Sequence, residues 1–334
     1  MATQNIAIPT GENASLILSL ATHIFENHGE EIGNAIIGKN FILTYLRSKA
    51  QKVESGGLDF AEPVMIAENS NFSHRSHYSQ IDAAIQDPTR EFKFDPVSLT
   101  GTIVINKKHE LMNLGKSQIK KLMTTLKMQA ETTIENIVNR AMWASSPVAN
   151  IDPESILSLI SSTPTTGTIG GISRSGNTYA QNKVNTTAIA SIGAQAGVAA
   201  LHRMRTTLGG SAKTTPDFAV TTATLFSNLH AYLDDKRQVR ADEKMASLGF
   251  DTIKVGSATL GYDGDGGTGE CPASNFFFLN SRHLFWKVLE GSLFKFEPFS
   301  YKDNSLNATS IFYMFHNLTT NLPSSMGRFT AFTA

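Results

Sequence analysis

The chain has a single cysteine, Cys271, among its 334 residues. One thiol excludes a disulfide framework within the chain and any metal site made of several cysteines. The sequence also lacks a run of about 18 apolar residues, so it predicts no transmembrane helix and no membrane partner. The first residues, MATQNIAIPTGENAS, have neither the basic nor the apolar region of a signal peptide. We therefore expect the chain to fold in a cytoplasmic compartment.

Charge is scarce and balanced. Charged residues make up 17% of the chain, against about 25% in an average soluble protein, and the formal net charge at pH 7 is zero. This balance argues against dedicated nucleic-acid binding, which usually needs a basic face. Because fewer charges leave less solvated surface, the composition suits a protein whose surface is largely covered by partners.

No stretch has the pattern of a catalytic centre. The glycine-rich run at 167–176 lacks the G-x-x-x-x-G-K-[ST] pattern of a phosphate loop. No G-x-S-x-G nucleophile elbow occurs, and the acidic loop before Cys271 would raise the pKa of that thiol. We therefore predict a structural or binding protein without catalytic residues or cofactors, and an irregular loop at 167–176. A nucleotide-binding enzyme that uses this loop is the alternative from another class.

Two short patterns resemble metal sites, and both are incomplete. His74 and His77 have the spacing of a ligand pair, but a zinc site needs three or more converging ligands. The loop at 263–270 is acidic like a calcium loop, but Gly267 occupies a ligand position. We predict a flexible, exposed turn at 263–270 and no metal ion.

The strongest periodic signal predicts one long helix from Ser117 to Ala144. Its apolar residues recur at steps of three and four, and its interior has no glycine or proline. About 28 residues make a rod of roughly 42 Å, which crosses a whole domain. Lysines crowd its N-terminal half, where the helix dipole favours the opposite charge. A solvated face is one interpretation; the sharper one is that Lys116, Lys120, Lys121 and Lys127 meet an anionic surface.

A polar segment at 68–96 lies between two runs that partly alternate in hydrophobicity, at 58–66 and 92–105. Such alternation is typical of strands, so the pattern predicts a long β-hairpin with a polar tip. Because a two-stranded ribbon is marginal in isolation, we expect it to leave its domain and pack on a neighbouring subunit. The tip residues predicted to make this contact are Asn69, Phe72, His74, Arg75, His77 and Tyr78.

Residues 185–290 alternate between helix and strand patterns, which favours a mixed α/β layer. Helices are expected at 187–208, at 222–233 and, as a short one, from about 280 through 289. Strands are expected at 217–220, 250–255 and 275–279, the last being continuously apolar and therefore central. Closing strands at 293–301, 310–317 and 328–333 suggest a second, mostly antiparallel sheet.

Taken in order, these parts resemble the major capsid proteins of tailed bacteriophages, which have the Hong Kong 97-type fold. A Gly-Gly turn in Glu54-Ser55-Gly56-Gly57-Leu58 precedes the hairpin and the long helix. The run TGTIGGISR at 166–174 is similar to a TGT-x-GGI-x-R stretch of one branch of the family, with Tyr179 and Asn182 as its following aromatic and asparagine. The similarity continues through Pro216-Asp217-Phe218, Gly249-Phe250 and Tyr262-Asp263.

The resemblance implies an α+β fold in four parts. Residues 1–50 would form an N-terminal arm, and 51–106 the extended hairpin or E-loop. A peripheral domain with the long helix as its spine would take 107–148 and 292–334. Residues 149–291 would form a mixed α/β axial domain near the symmetry axis of the capsomer. The acidic loop would belong to the axial domain, with site residues Asp263, Asp265 and Glu270.

The resemblance also implies a function in the virion. Such proteins assemble, after folding in the host cytoplasm, into hexamers and pentamers of an icosahedral shell around double-stranded DNA. Contact with that DNA would be sequence-independent and electrostatic. Because only about fifty residues precede the hairpin, we expect a separate scaffolding protein; a portal and a decoration protein are further candidate partners. An encapsulin-like protein compartment is the alternative within the same fold.

Overall fold

The computed structural model describes most of the chain in ranges separated by gaps. The described residues are 41–77, 84–108, 126, 129–130, 132–134, 136–212, 215–235, 251–267, 269–293, 295–301 and 306–332. The sequence before residue 41, Tyr78, Lys116, Lys120, Lys121 and Lys127 lie outside them. Within the described ranges, no helix is long and apolar enough to cross a membrane.

Five helices are described over a turn or more, and Lys107 and Lys108 are also helical. Helix α1 spans Phe41–Lys49. Helix α2 is the predicted long helix: every described residue from 126 to 142 is helical, and a turn follows at Trp143. The others are α3 at Ile156–Leu159, α4 at Gln195–Ala212 and α5 at Ala223–Asp235. Short 3-10 turns lie at Thr178–Ala180 and Pro323–Ser325.

The first sheet has six strands and is organised around β15, Asn307–Thr320. Strand β4, Val97–Asn106, pairs with β15 in antiparallel register from Val97↔His316 to Asn106↔Asn307. Three strands pair with β15 on its other side: β12 at Leu284–Leu289, β13 at Lys295–Phe296 and β14 at Ser300–Tyr301. The short β1, Gln51–Glu54, adds to β12 in parallel.

The second sheet also has six strands, in the order β7-β16-β11-β8-β10-β9. Their bounds are β7 Lys183–Asn185, β8 Phe218–Thr221, β9 Ile253–Val255, β10 Ala258–Tyr262, β11 Phe276–Leu279 and β16 Gly327–Phe329. Strand β11 lies between β16 and β8 and is buried on both faces, so the prediction of a central strand is confirmed. The continuous apolar run FFFL is what a strand covered on both sides requires.

Two hairpins complete the structure. Strands β2, Phe60–Met65, and β3, Thr89–Phe94, pair in antiparallel register, which confirms the predicted long hairpin. The predicted second run does not continue in that hairpin, because the chain after Pro96 enters β4 and pairs with β15. Strands β5, Thr168–Ile169, and β6, Ile172–Ser173, form a small hairpin inside the glycine-rich run.

Two sequence-based helix predictions are wrong. Residues Leu284–Leu289 form strand β12, not a helix. Their run LFWKVL is almost continuously apolar, and a short run of this kind fits a buried strand as well as a buried helix. The predicted helix at 187–208 begins only at Gln195, because Ile189 forms a bridge with Phe332 beside the second sheet.

The core has two parts, which meet at β11. Phe276 and Phe278 face the core under α4 and α5, and Phe277 and Leu279 face the core that contains the first sheet, α1 and α2. Helix α1 lies in this second core, with its first six residues buried. Part of the segment predicted as an arm is therefore packed against its own chain.

Candidate assembly surfaces

The tip of the long hairpin is held together by polar contacts and presents apolar side chains outward. Asn71 donates from Nδ2 to the carbonyl of Ala84 at 2.8 Å, and Gln86 donates from Nε2 to Ser70 Oγ at 2.8 Å. These bonds join the two sides of the hairpin beyond β2 and β3. Side-chain hydrogen bonds thus close the described part of the tip.

Three large apolar side chains of the hairpin are uncovered. Phe72 is 85% exposed, Met65 is 74% exposed and Ile85 is fully exposed. Of the polar tip residues predicted from the sequence, Asn69, His74 and His77 are exposed and Arg75 is partly buried. Large exposed apolar side chains such as these are typical of a surface that a partner covers.

The base of the hairpin is fixed to the first sheet by a buried lysine. Lys287 Nζ on β12 lies 2.6 Å from Glu54 Oε1 on β1 and 2.9 Å from Glu62 Oε1 on β2. Lys287 and Glu62 are both buried, and Thr319 Oγ1 donates to the same Glu62 oxygen at 3.0 Å. Burial lowers the pKa of Lys287, but its bonds to the two carboxylates outweigh burial and raise the pKa overall.

Sequence reasoning missed this ion-pair network. A signal was present, because Lys287 is the only charged residue in the apolar run LFWKVL. A charge inside a buried strand needs a partner of opposite charge, since an unpaired buried charge is costly. The partners Glu54 and Glu62 are more than 200 residues away in sequence, so the pattern could not identify them.

The glycine-rich run supports the opposite side of the hairpin. Gly170 has φ of +51°, and a Cβ there would lie 2.8 Å from Phe92 Cβ on β3. The amide of Lys93 donates to the carbonyl of Gly170 at 3.0 Å. Tyr179 adds an edge-on contact with Phe92, with ring centroids 6.2 Å apart. The predicted irregular loop is therefore an ordered hairpin, because glycine allows the close approach to β3.

Arg174, at the end of the TGT-x-GGI-x-R stretch, is a buried structural residue. Its guanidinium donates to the carbonyls of Ser158 and Leu159 at 2.7 and 2.9 Å and to Asn182 Oδ1 at 3.0 Å. The two carbonyls are at the C-terminal end of α3, where helix carbonyls lack intrahelical partners. The pairing of Arg174 with Asn182 explains the arginine and the asparagine of this stretch as one unit.

The acidic loop is hydrogen-bonded to the first turn of α5 and to Trp143 at the end of α2. Asp265 accepts from the amide of Thr224 at 3.0 Å in the first turn of α5. Glu270 Oε2 accepts from the amides of Asp265 and Gly267, both at 2.9 Å. Asp263 Oδ2 accepts from Trp143 Nε1 at 2.5 Å at the end of α2. The predicted turn is present and exposed at 265–267, and its carboxylates bond to nearby N–H groups.

Two titratable groups in this region have shifted pKa values. Burial raises the pKa of Asp263 to about 6, although the bond from Trp143 lowers it and the charge of Glu270 raises it. Burial, followed by the charge of Asp263, raises the pKa of the Cys271 thiol well above its ordinary value. Within the described ranges, no group of three or more His, Cys, Asp or Glu side chains is arranged to hold a metal ion.

No protein-family model and no curated protein matches the chain, but solved structures share its fold. The cyanophage A-1(L) capsid protein is 13% identical, with a TM-score of 0.68 over 88% of this chain and 92% of that chain. A chain of the satellite phage P4 procapsid, whose structure includes the size determination protein, is 11% identical (TM-score 0.51, 91% and 90% covered). The virus-like particle from Pyrococcus furiosus is 7% identical (TM-score 0.51, 90% and 96% covered).

The chain has the α+β fold of phage major capsid proteins, which confirms the predicted fold class. The similarity extends over most of the chain and of each matched chain. The division into arm, E-loop, peripheral domain and axial domain stays a prediction. So do the roles assigned to the hairpin tip, the acidic loop and the four lysines.

Proposed function

We propose that this chain is the major capsid protein of a tailed bacteriophage. It is a structural, non-enzymatic subunit that assembles into hexamers and pentamers of an icosahedral shell around double-stranded DNA. The observation that carries the proposal is the long hairpin, which is anchored at its base and has exposed apolar side chains toward its polar tip. A monomer gains nothing from exposing Phe72, Met65 and Ile85, whereas a shell covers each of them with a neighbouring subunit.

The proposed contacts follow from the same geometry. The outer half of the hairpin, with Asn69, Phe72, His74, Arg75, His77 and Tyr78, lies on a neighbouring subunit. The segment before α1 acts as an arm, and α2 is the spine of a peripheral domain. Lys116, Lys120, Lys121 and Lys127 face the shell interior or an acidic neighbour, where they contact DNA weakly and without sequence preference. A separate scaffolding protein, a portal and a decoration protein are the proposed partners in the virion.

The acidic loop contributes to the contacts around the symmetry axis of the capsomer. Its hydrogen bonds support this role, because an axial loop has to keep a fixed shape. Asp263, Asp265 and Glu270 connect the end of α2 to the start of α5. In a ring of subunits such a loop would keep its shape when it meets its symmetry mates.

An encapsulin-like compartment is the second candidate, because the virus-like particle from Pyrococcus furiosus shares the fold. The nucleotide-binding enzyme is disfavoured, since the glycine-rich run forms a short hairpin against β3 and Gly170 has no room for a larger residue. A phosphate loop would instead present its amides at the start of a helix.

The decisive experiment is negative-stain imaging of the purified protein at high concentration and physiological salt. We expect rings or closed particles. A strictly monomeric protein under these conditions would contradict the proposal. Deleting Asn69–Ile85 should block assembly and leave a folded monomer, and normal shells from that deletion would disprove the role of the hairpin. Genes for a terminase and a portal beside this gene favour a phage head; a gene for a cargo enzyme favours a compartment.

A further inference from the structure

The second sheet has unlike charges at its two ends. Strands β8 and β10 are adjacent and parallel, so both begin at one end of the sheet and finish at the other. The acidic loop follows the last residue of β10, and the turn Gly256-Ser257 precedes its first residue. Because β10 is five residues long, roughly 17 Å separate the loop from the turn. The two ends are therefore separate surfaces of one subunit.

Arg205 supplies the charge at the end where the strands begin. Its Nη1, projecting from α4, donates to Ser257 Oγ at 3.2 Å, and that hydroxyl donates to the carbonyl of Pro216 at 3.2 Å. The guanidinium lies over Gly256, where a Cβ would be 2.5 Å from Arg205 Cζ. Glycine also suits the backbone of this two-residue turn, since its φ is +66°. The turn thus holds the guanidinium in a fixed place.

Within the described ranges, the positive charge of Arg205 has no counter-charge. Its Nε is buried without a hydrogen-bond partner, and no described carboxylate forms an ion pair with it. Asp217, directly after Pro216, accepts instead from Tyr45 and Ser281. Because Arg205 is partly exposed, donors of its guanidinium remain for a carboxylate from outside the chain, which is the partner that this planar fork of N–H groups fits best.

The acidic loop at the opposite end has carboxylates and no cation. Its turn at 265–267 is exposed, and the carboxylate of Asp265 accepts from Thr224 alone among the described residues. Glu270 accepts from two backbone amides. Neither carboxylate forms an ion pair with a described residue. The bonds from Thr224 lower the pKa of Asp265, so this group stays charged at neutral pH.

We propose that the exposed turn of the acidic loop packs on the Gly256-Ser257 turn of the next subunit, where Asp265 accepts hydrogen bonds from Arg205. A second copy of this chain is the occupant, because the two complementary charges lie at opposite ends of one sheet. A contact between different surfaces of identical subunits is heterologous, and its repetition closes a ring. This contact rests on the proposed function, since it forms only between assembled subunits.

The test is an exchange of charge between the two positions. Arg205→Glu and Asp265→Arg each bring like charges together, so each variant should need at least about tenfold more protein to assemble than the natural chain. Both substitutions in one chain restore opposite charges and should recover most of the loss. Sedimentation and negative-stain imaging at low salt measure the assembly threshold.

A mixture of the two single variants gives a second readout. When they alternate around a ring with an even number of subunits, every contact joins opposite charges. We therefore expect the mixture to form hexameric rings at a concentration at which neither variant assembles alone. In about 1 M salt the defect of each single variant should shrink, because charges are then screened within about 3 Å.

Arg203→Glu is the matched control. Arg203 lies on α4 two residues from Arg205 and is exposed, so the same change of charge should leave the assembly threshold unchanged. The neutral variants Arg205→Gln and Asp265→Asn keep groups that bond to Ser257 and Thr224, and each should weaken assembly severalfold. They provide the result if a charge reversal unfolds the subunit, which urea unfolding of dilute protein detects.

Four outcomes would overturn the contact. Failure of the natural chain to assemble would remove the proposed function as well, whereas normal assembly of both single variants would remove the contact alone. Impaired single variants without recovery in the double variant or the mixture would show that Arg205 and Asp265 have different partners. Normal empty shells with weaker DNA retention in Arg205→Glu would make a DNA phosphate the partner of Arg205.

Discussion

His316 lies fully inside the first sheet, where its Nδ1 accepts a hydrogen bond from Trp286 Nε1 at 3.3 Å. Burial lowers its pKa to about 4, so the folded protein keeps this side chain neutral. The unfolded chain takes up a proton below about pH 6.5, and stability therefore falls as the pH decreases from about 6.5 to about 4. This one group accounts for roughly 3 kcal/mol over that window.

Asp263 changes the stability with pH in the opposite direction to His316. Removing its carboxylate should therefore make the loss of stability caused by His316 at low pH easier to see. The Asp263 pKa of about 6 in the folded state lies above the ordinary 3.8, so the folded protein binds more protons than the unfolded chain between these values. Stability therefore rises as the pH decreases through this window. We predict that Asp263→Asn is more stable than the natural protein at pH 7 by about 3 kcal/mol and within about 0.6 kcal/mol of it at pH 4.

The measurement is urea unfolding of both proteins at several pH values between 4 and 7. Asparagine keeps an oxygen that accepts from Trp143, so the substitution removes the charge and preserves the bond. The difference between the two proteins isolates Asp263 from all other groups. A difference in unfolding free energy that does not vary with pH would contradict the assigned pKa.

Lys287 should be among the most sensitive residues of the hairpin base. Lys287→Met leaves the buried carboxylate of Glu62 without its cation, which typically costs about 3–5 kcal/mol. The double variant Lys287→Met, Glu62→Gln should recover much of this loss, because the amide of glutamine still accepts from Thr319 and carries no charge. Denaturant unfolding measures the loss, and limited proteolysis reports whether the hairpin detaches first.

Lys295→Met is the matched control for Lys287. Lys295 lies on β13 of the same sheet and is exposed, so its loss should change stability by less than about 0.5 kcal/mol. If the double variant were as unstable as the single one, the ion pair would not be the reason for the effect.

At the scale of elements, the sequence predicted the helices and strands whose hydrophobic periodicity is unambiguous. The stripe of α2, the alternation of β2 and the continuous run of β11 each belong to one type of structure, and all three are found as predicted in the described residues. Strand β12 was missed because a short buried run has no period to distinguish strand from helix. The end of the long hairpin was missed because the change of partner at Pro96 depends on β15, which lies some 200 residues later.

The contact between the small glycine hairpin and β3 gives an element-scale prediction. Gly170→Ala introduces a Cβ 2.8 Å from Phe92 Cβ, whereas Gly171→Ala meets no atom within 4 Å. Both glycines have positive φ, +51° and +78°, so both alanines bear a similar backbone strain. We expect Gly170→Ala to destabilise the protein by about 1–3 kcal/mol more than Gly171→Ala, which is the usual cost of overpacking.

Thermal or urea unfolding of the two variants provides the measurement. Because both alanines bear a similar backbone strain, the difference between their unfolding free energies reports the close contact with Phe92. Hydrogen exchange should locate the excess loss of Gly170→Ala in residues 89–94. Equal destabilisation by both alanines would show that the close approach to β3 is not a constraint.

At the scale of the whole molecule, the candidate surfaces were only partly visible in the sequence. Phe72 stood out as an aromatic residue in a polar tip, and its exposure agrees with a role in contact. Met65 and Ile85 did not stand out, because Met65 ends β2 and Ile85 comes shortly before β3, where an apolar residue is ordinary. Exposure depends on what the rest of the chain covers, and a linear pattern does not contain that information.

Replacing the uncovered side chains should separate folding from assembly. We predict that Phe72→Ser with Ile85→Ser changes unfolding free energy by less than about 0.5 kcal/mol, since neither side chain is buried. The same variant should fail to form shells, because large apolar residues at the centre of a contact contribute most of its binding energy. Sedimentation and negative-stain imaging measure assembly, and circular dichroism checks the fold.

The matched control is Val148→Ser with Ile151→Ser, which removes two exposed apolar side chains outside the hairpin tip. Shells from the control and none from the tip variant would assign the effect to the hairpin. Normal shells from the tip variant would show that Phe72 and Ile85 are dispensable for assembly.

Cys271 follows the acidic loop directly, and its amide donates to the carbonyl of Asp263 at 2.9 Å. As the chain's single thiol, buried and with a raised pKa, it reacts with a dye only when this region opens to solvent. Labelling therefore proceeds at one site per chain, and its rate reports how often the loop opens. The labelling rate can be measured in a dilute subunit and in a closed particle. The ratio of these two rates gives the degree to which neighbouring subunits suppress the opening of the loop.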